Sequence, residues 1–171
     1  MFNKINFLFV TLFGIGKIGK IPGSLASLAT TIFLFLLLHI LYVSPNIVLI
    51  SVIIIFFISL YSVNIFIKDL DNKDPKEIVI DEFIGQSIPI CLYEIAHDGP
   101  KETDQILTSY FIMFILFRIF DILKPYPVSY YDKNFKNSFG VIMDDICAGL
   151  YVVAVIILYM VISEWTKFHR K

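Results

Sequence analysis

The chain is poor in charged residues for its length. Asp, Glu, Lys and Arg make up 17% of its 171 residues, whereas about a quarter is usual in soluble domains. Hydrophobic residues make up 57%, and the mean hydropathy is +0.78. The formal net charge of −1 excludes the broad positive field of a nucleic-acid-binding surface. The composition therefore indicates a membrane protein, and the length predicts one domain over residues 1–171.

Cysteine and histidine are scarce, and their spacing excludes several chemistries. Cys91 and Cys147 match neither a zinc-binding pattern nor a CxxC motif, so we predict reduced, packed thiols. Neither is followed six residues later by the arginine that a cysteine phosphatase needs. The histidines His39, His97 and His169 are isolated in the sequence, which excludes a histidine-based phosphatase pattern.

Charge is absent altogether from residues 21–67. This run is too long for one membrane crossing, and it is interrupted once, by the sequence VSPN at residues 43–46. Two segments remain, Ser24–Tyr42 and Ile47–Ile67, and each has about the twenty residues needed to cross a bilayer. Because polar backbone cannot be left bare in lipid, we predict that both are helices and that they form a hairpin.

Three further apolar segments follow. Gln105–Leu123 and Ile146–Ser163 are predicted membrane helices. Phe83–Ala96 is shorter and is interrupted by polar residues, so it predicts a buried or partly embedded helix. The sequence thus predicts an all-α, multi-helix bundle embedded in a membrane. Residues 97–104 and 124–140 are predicted polar loops, and residues 1–13, without a clear cleavage site, a retained N-terminal segment.

The positions of the lysines predict the orientation in the membrane. If the N-terminus is inside the cell, most lysines fall on the cytoplasmic side. The basic tail after Ser163 then falls outside, against the rule, so either the last span or the short third segment does not cross fully. The cytoplasmic lysines would be Lys4, Lys17, Lys20, Lys68, Lys73, Lys76, Lys124, Lys133 and Lys136.

Four polar clusters are predicted at this same face, because helix starts and ends alternate in an antiparallel bundle. Their convergence predicts a single site at one end of the bundle. A helical transporter or scaffold would place polar residues near the middle of its spans, and the two spans within residues 21–67 carry no charge. The clusters are residues 14–24; Asp81, Glu82 and Gly85; Arg118, Asp121, Lys124 and Pro125; and Gly140, Asp144, Asp145 and Gly149.

The first cluster contains the pattern G-x-G-x-x-G at Gly14, Gly16 and Gly19. A dinucleotide-binding fingerprint needs a βαβ unit and an acidic residue about twenty positions later. An uncharged membrane span follows instead, and the first acidic residue is Asp69. The pattern therefore does not predict a nucleotide site.

A predicted helix N-terminus at Gly23 and Ser24 follows these glycines. Free N–H groups and the helix dipole attract anions there, and Lys17 and Lys20 add positive charge. We therefore predict phosphate contact by Lys20 and Ser24. The alternative is that the lysines only mark the cytoplasmic side.

The acidic pairs Asp81-Glu82 and Asp144-Asp145 both precede apolar segments. Capping of helix N-termini would explain one aspartate in each pair. Two acidic pairs in a site of low dielectric repel each other unless a cation lies between them. Mg²⁺ prefers oxygen ligands and often binds substrate phosphates, so the pairs favour a metal site over simple capping.

Arg118, Asp121 and Lys124 are spaced i, i+3 and i+6 and share one broad helix face. Charges inside a span are costly and are usually functional or paired. One interpretation has Arg118 and Lys124 binding phosphate oxygens, with Asp121 joining the metal site or acting as a base. The other is an Arg118–Asp121 ion pair that fixes the helix at the membrane interface.

Four stretches together resemble the phosphatidylglycerophosphatase A family. IVIDEFIG at residues 78–85 is similar to the family's IVxDEFxG, and FRIFDILKPYP at 117–127 to its FRxxDxxKPxP. GVIMDDICAG at 140–149 is similar to its GIMxDDxxAG, and IPGS at 21–24 to its Pro-Gly-Thr loop. The departures are Ser24 for Thr, Ala26 for Gly and Phe139 for Gly, and none removes a carboxylate.

The resemblance implies an all-helical fold with a central helix, and Mg²⁺-dependent hydrolysis of phosphatidylglycerophosphate to phosphatidylglycerol in the bacterial inner membrane. We expect a metal-activated water to attack phosphorus while the acyl chains stay in the bilayer. A phosphatase of another phosphomonoester lipid is the nearest alternative. The expected metal ligands are Asp81, Glu82, Asp144 and Asp145; the catalytic residues Asp81, Asp121 and Asp144; and the phosphate-binding residues Lys20, Ser24, Arg118 and Lys124.

Overall fold

A computed structural model describes residues 2–70, 72, 75–97, 99 and 102–169. This part of the chain folds into helices joined by loops, as the all-α prediction requires. A 3₁₀ turn at Ile15–Lys17 follows the first helix, and the second continues into a π-helical turn at Leu36–Ile40. The α-helices are α1 (Phe2–Val10), α2 (Pro22–Phe35), α3 (Pro45–Ile67), α4 (Ile80–Ala96), α5 (Thr103–Leu123), α6 (Val128–Asn134) and α7 (Ser138–His169).

Helix α4 is the centre of the bundle and packs against α2, α3, α5 and α7. Its contact with α7 is the closest of these because two glycines meet there. A Cβ atom on Gly85 would lie 2.6 Å from the carbonyl oxygen of Asp145 and 2.8 Å from Cε2 of Phe117. A Cβ atom on Gly149 would overlap the carbonyl oxygen of Gly85. The predicted buried third segment and the central helix are both confirmed.

Four helical stretches are long and apolar enough to cross a membrane: Pro22–Ile40, Pro45–Ile67, Thr103–Leu123 and Ser138–Ser163. Large apolar side chains on their outer faces, such as Phe57 and Leu158, are exposed. Apolar surface on this scale is unfavourable in water and suits lipid. The chain is therefore a membrane protein, and the predicted hairpin corresponds to α2 and α3, with Pro45 in the first turn of α3.

One polar contact joins three helices inside the bundle, away from the cluster residues. His39 Nε2 in the π-helical turn lies 3.1 Å from the hydroxyl of Tyr110 and 3.4 Å from Oε1 of Glu94. This contact accounts for Glu94, one of the polar interruptions in the third apolar segment. His39 is thus isolated in the sequence but not in the fold.

The predicted loop at residues 124–140 is partly helical, which corrects the sequence prediction. It contains α6, and α7 begins at Ser138, eight residues before the predicted start at Ile146. Aromatic rings of Tyr131, Phe135 and Phe139 pack against one another across the two helices. Hydropathy does not detect these contacts because Lys133 and Lys136 lie among the aromatic residues.

Candidate active site

A cavity of about 370 Å³ lies at one end of the bundle. It is bounded by the N-terminus of α2, the start of α4, the end of α5 and the second turn of α7. All four predicted clusters contribute to it, which confirms their convergence. The lining residues are Ile21, Pro22, Gly23, Ser24, Lys76, Ile78, Asp81, Glu82, Arg118, Asp121, Ile122, Lys124, Asp144 and Asp145.

Three carboxylates meet inside this cavity. Asp81, Glu82 and Asp145 each offer an oxygen atom, and these atoms all lie within 4.8 Å of one another. Asp81 and Asp145 are only 7% and 3% exposed. The close approach of α4 and α7 at Gly85 brings the two helices near enough for the three side chains to meet. We call these three residues the acidic trio.

The acidic trio fits a hard divalent cation. Its donors are all carboxylate oxygens, which are the ligands that Mg²⁺ prefers. Glu82 Oε2 is buried and has no hydrogen-bond partner in the described part of the chain. Burial raises the pKa of Glu82 well above its ordinary value, and the charge of Asp81 raises it further, while Arg118 acts in the opposite direction. A cation among the three oxygens would relieve this repulsion.

No residue of the two acidic pairs occupies the N-cap position of α4, although Asp81 accepts a bond from one N–H of the first turn. Helix α4 has Val79 at its N-cap, without a side-chain hydrogen bond, and Asp144 and Asp145 lie in the second turn of α7. Each pair has the same local bond. The N–H of Glu82 donates to Asp81 Oδ1, and the N–H of Asp145 donates to Asp144 Oδ1, both at 3.1 Å.

Asp144 lines the cavity, but its side chain turns to Lys124 and lies outside the acidic trio. Lys124 Nζ donates to Asp144 Oδ2 at 2.9 Å and to Asp132 Oδ1 at 2.7 Å. Burial lowers the pKa of Lys124, but the carboxylates of Asp144 and Asp132 overcome this effect and raise it above its ordinary value. Lys124 also has left-handed backbone angles (φ 45°, ψ 58°) directly after α5.

Asp132 is absent from the sequence prediction, because it lies on α6 within the expected loop. Its spacing of eight residues from Lys124 gave no helical signal. The aromatic cluster around it was the available indication of ordered structure there.

Arg118 connects α5 to α2 at the edge of the cavity. Its Nη1 lies 3.0 Å from Asp121 Oδ2, so the ion pair that we considered is present. Nη1 also donates to Ser27 Oγ at 3.3 Å. Arg118 Nε is buried without a hydrogen-bond partner in the described residues, so the guanidinium keeps a free donor.

The N-terminus of α2 lies directly against Glu82. A Cβ atom on Gly23 would overlap Glu82 Oε1 and would lie 3.3 Å from Arg118 Nη1. No side chain caps α2 at Ile21, and first-turn N–H groups have no partner within their own helix. This end of α2 therefore offers N–H donors beside the acidic trio, in an arrangement that suits an anion.

The lysines near the N-terminus are placed differently from the prediction. Lys20 is exposed and does not line the cavity. Lys17 Nζ lies 4.6 Å from the ring centroid of Phe7, where a cation–π contact holds it. Lys76 lines the cavity instead. The sequence indicated this only by placing a lysine five residues before Asp81.

Comparison with known proteins identifies the family. The sequence model described as Phosphatidylglycerophosphatase A matches residues 8–160. The chain belongs to the phosphatidylglycerophosphatase A family. Its predicted nature as a phosphatase is thereby confirmed.

Two relatives cover most of the chain, and both are named phosphatidylglycerophosphatase A. The Haemophilus influenzae protein is 36% identical over 156 residues, covering 91% of this chain and 88% of that protein. The Escherichia coli protein is 31% identical over 153 residues, covering 90% and 81%.

A third relative matches a shorter region. A Bacteroides thetaiotaomicron protein with a provisional name of phosphatidylinositol-3-phosphatase is 39% identical over 80 residues, which are 47% of this chain and 45% of that protein. No solved structure is significantly similar to this chain.

Proposed function

We propose that this member of the phosphatidylglycerophosphatase A family hydrolyses phosphatidylglycerophosphate to phosphatidylglycerol and phosphate, with Mg²⁺ as cofactor. The observation that carries the proposal is the buried acidic trio beside Arg118 and the free N-terminus of α2. A cation site and an anion site in one cavity suit a phosphate monoester. The names of the two relatives that cover most of the chain support phosphatidylglycerophosphate as the substrate.

Asp81, Glu82 and Asp145 would hold the metal. A bound Mg²⁺ supplies polarisation of a phosphoryl oxygen and a more acidic water. Asp144 remains a candidate ligand from the sequence, but it would have to leave Lys124 to join the acidic trio. The trio is therefore the core of the proposed metal site.

The phosphate would bind on the α2 and α5 side of the cavity. Arg118 has a buried donor without a partner, and Ser24 lies in the first turn of α2. Lys76 adds positive charge from the segment before α4. Lys124 contributes less directly because two carboxylates already hold its ammonium group. Lys20, exposed and outside the cavity, would act only through long-range attraction.

A proton must leave the attacking water during hydrolysis. Asp121 and Asp144 line the cavity without belonging to the acidic trio. Both are bound to a cationic side chain that keeps the carboxylate oriented. These two residues are the proposed proton acceptors.

The lipid would reach the cavity from the membrane. Ile21 and Ile122 line the cavity and are 63% and 67% exposed, so apolar side chains lie at its margin. Acyl chains can stay in the bilayer while the head group enters. We further propose that the cavity faces the cytoplasm at the bacterial inner membrane and that the reaction serves phospholipid biosynthesis.

Phosphate release in detergent tests the proposal. Purified protein would be given phosphatidylglycerophosphate or phosphatidate, in Mg²⁺ and then in excess EDTA. We expect rapid release from the first lipid in Mg²⁺ and almost none in EDTA. Release that is unchanged in EDTA would reject the metal, and release from neither lipid by folded protein would reject the activity.

Phosphatidylinositol 3-phosphate is the second candidate substrate. The provisional name of the Bacteroides thetaiotaomicron relative favours including it. The same assay with this lipid decides between the two. A higher kcat/KM for phosphatidylinositol 3-phosphate than for phosphatidylglycerophosphate would reverse the assignment.

A further inference from the structure

Gln86 is a buried side chain that has no partner. It lies on α4 and is 0% exposed. Neither its Oε1 nor its Nε2 makes a hydrogen bond within the part of the chain that the structure describes. Burying an unpaired amide is unfavourable, and most buried polar atoms do have partners. A glutamine kept at such a position therefore needs an explanation.

The position of Gln86 relative to Glu82 supplies one. The two residues are four apart on α4, so they lie one above the other on the same helix face. Glu82 Oε2 is also buried and unpaired among the described residues. An amide donor and one carboxylate oxygen thus both lack a partner among the described residues, one helical turn apart.

The neighbouring polar residue on α4 behaves differently. Ser87 is equally buried, but its hydroxyl donates to the carbonyl of Phe83 at 2.6 Å. Burial on α4 thus does not by itself leave a polar side chain without a partner. At the start of the same helix face, Glu82 lies against Gly23 of α2.

We propose that Gln86 is a positioning residue whose side-chain N–H donates to the Glu82 carboxylate and fixes its orientation toward the bound cation. Residues four apart are neighbours on a helix surface, and the broad terminal torsions of Gln and Glu let the amide and the carboxylate turn toward each other. Carboxylates that bind metals are usually held by such hydrogen bonds. This role rests on the proposed function, because it requires a cation at the acidic trio.

Metal affinity tests the role directly. Free Mn²⁺ would be measured by electron paramagnetic resonance with wild-type protein, Gln86→Met and Ser59→Ala, all in detergent. Methionine keeps the length and removes both polar atoms. Ser59 is the matched control, because its buried hydroxyl also lacks a partner and lies on α3, outside the cavity.

We expect Gln86→Met to raise the Mn²⁺ dissociation constant about tenfold or more, with an unchanged or higher Tm. Ser59→Ala should leave the constant within about twofold, since Ser59 does not line the cavity that holds the acidic trio. Equal constants for wild type and Gln86→Met would overturn the role of Gln86. A wild-type protein that binds no Mn²⁺ would overturn the proposed metal site as well.

A second measurement needs no substitution at Gln86. The sequence contains two glutamines, Gln86 and Gln105, and Gln105 is exposed near the start of α5. Selective ¹⁵N-glutamine labelling therefore gives two side-chain NH₂ signals, which Gln105→Ala assigns. We expect Mg²⁺ to shift the Gln86 signal and to leave the Gln105 signal in place. A Gln86 signal that does not respond to Mg²⁺, in protein that releases phosphate with Mg²⁺, would overturn the role.

Discussion

The two acidic pairs have the same local geometry but different partners. In each pair the first aspartate accepts a hydrogen bond from the N–H of the next residue. Asp81 and Glu82 both point into the acidic trio, whereas Asp144 turns away to Lys124 and only Asp145 joins it. Two pairs that look equivalent in the sequence therefore have different partners and different proposed roles.

The difference follows from helix geometry and side-chain length. Neighbouring residues on an α-helix point about 100° apart, so two adjacent aspartates cannot easily reach the same point. In the first pair the longer side chain of Glu82 makes up the difference. In the second pair Lys124 holds Asp144 instead. A cation bound at the acidic trio would balance the negative charges of the first pair, which is the reason to expect one there.

The largest expected effect comes from removing one charge of the acidic trio. Asp145→Asn keeps the size of the side chain but loses a ligand oxygen's charge. We expect phosphate release to fall at least about a hundredfold, since a catalytic metal contributes several kcal/mol. Measured kcat/KM and Mn²⁺ affinity would check this, with exposed Asp69→Asn as the control. Full activity in Asp145→Asn would remove Asp145 from the metal site.

Gly23→Ala tests the contact that positions Glu82. The new Cβ atom would overlap Glu82 Oε1, so the Glu82 carboxylate would have to move away from α2. A displacement near 1 Å can cost about a hundredfold in rate, so we expect a loss of between about tenfold and a hundredfold with little change in Tm. Gly99→Ala is the matched control, because a Cβ atom there meets open space. Equal activity in the two variants would contradict the contact.

Asp144→Asn tests whether Asp144 and Asp145 have different roles in solution. If Asp144 serves Lys124 and the attacking water, its loss should lower kcat more than it lowers Mn²⁺ affinity. We expect the Mn²⁺ dissociation constant to rise by no more than about tenfold. A rise as large as that of Asp145→Asn would show that Asp144 is a metal ligand and would make the two pairs equivalent.

The smallest expected effect is at Asp132, the second acceptor of Lys124. The Lys124 and Asp132 side chains are each about a quarter exposed, so their ion pair contributes up to about 1 kcal/mol. Asp132→Asn should therefore lower kcat/KM by no more than about fivefold. A larger loss would mean that Asp132 takes part in the site itself.

The sequence predicted the helices and the meeting of the four clusters for a clear physical reason. Hydropathy identifies membrane spans, and alternation of helix ends brings their polar termini to one face. It could not predict the division of Asp144 from Asp145, because that depends on the rotation of α7 about its axis. The sequence analysis also missed Asp132 and predicted Lys20 in the site. Both residues lie in stretches between the long helices, where tertiary contacts decide the path of the chain.

The left-handed backbone of Lys124 matters for any attempt to stabilise this protein by substitution. A side chain in the left-handed region costs of order 1 kcal/mol or more, and glycine adopts it freely. A glycine at position 124 would remove that backbone cost, but it would also take the ammonium group away from the nearly buried carboxylate of Asp144. Breaking a buried ion pair in this way costs up to about 3–5 kcal/mol, which is more than the backbone gains. Lys124→Gly should therefore lower stability as well as activity, and a design that replaces residues of positive φ by glycine should leave position 124 unchanged.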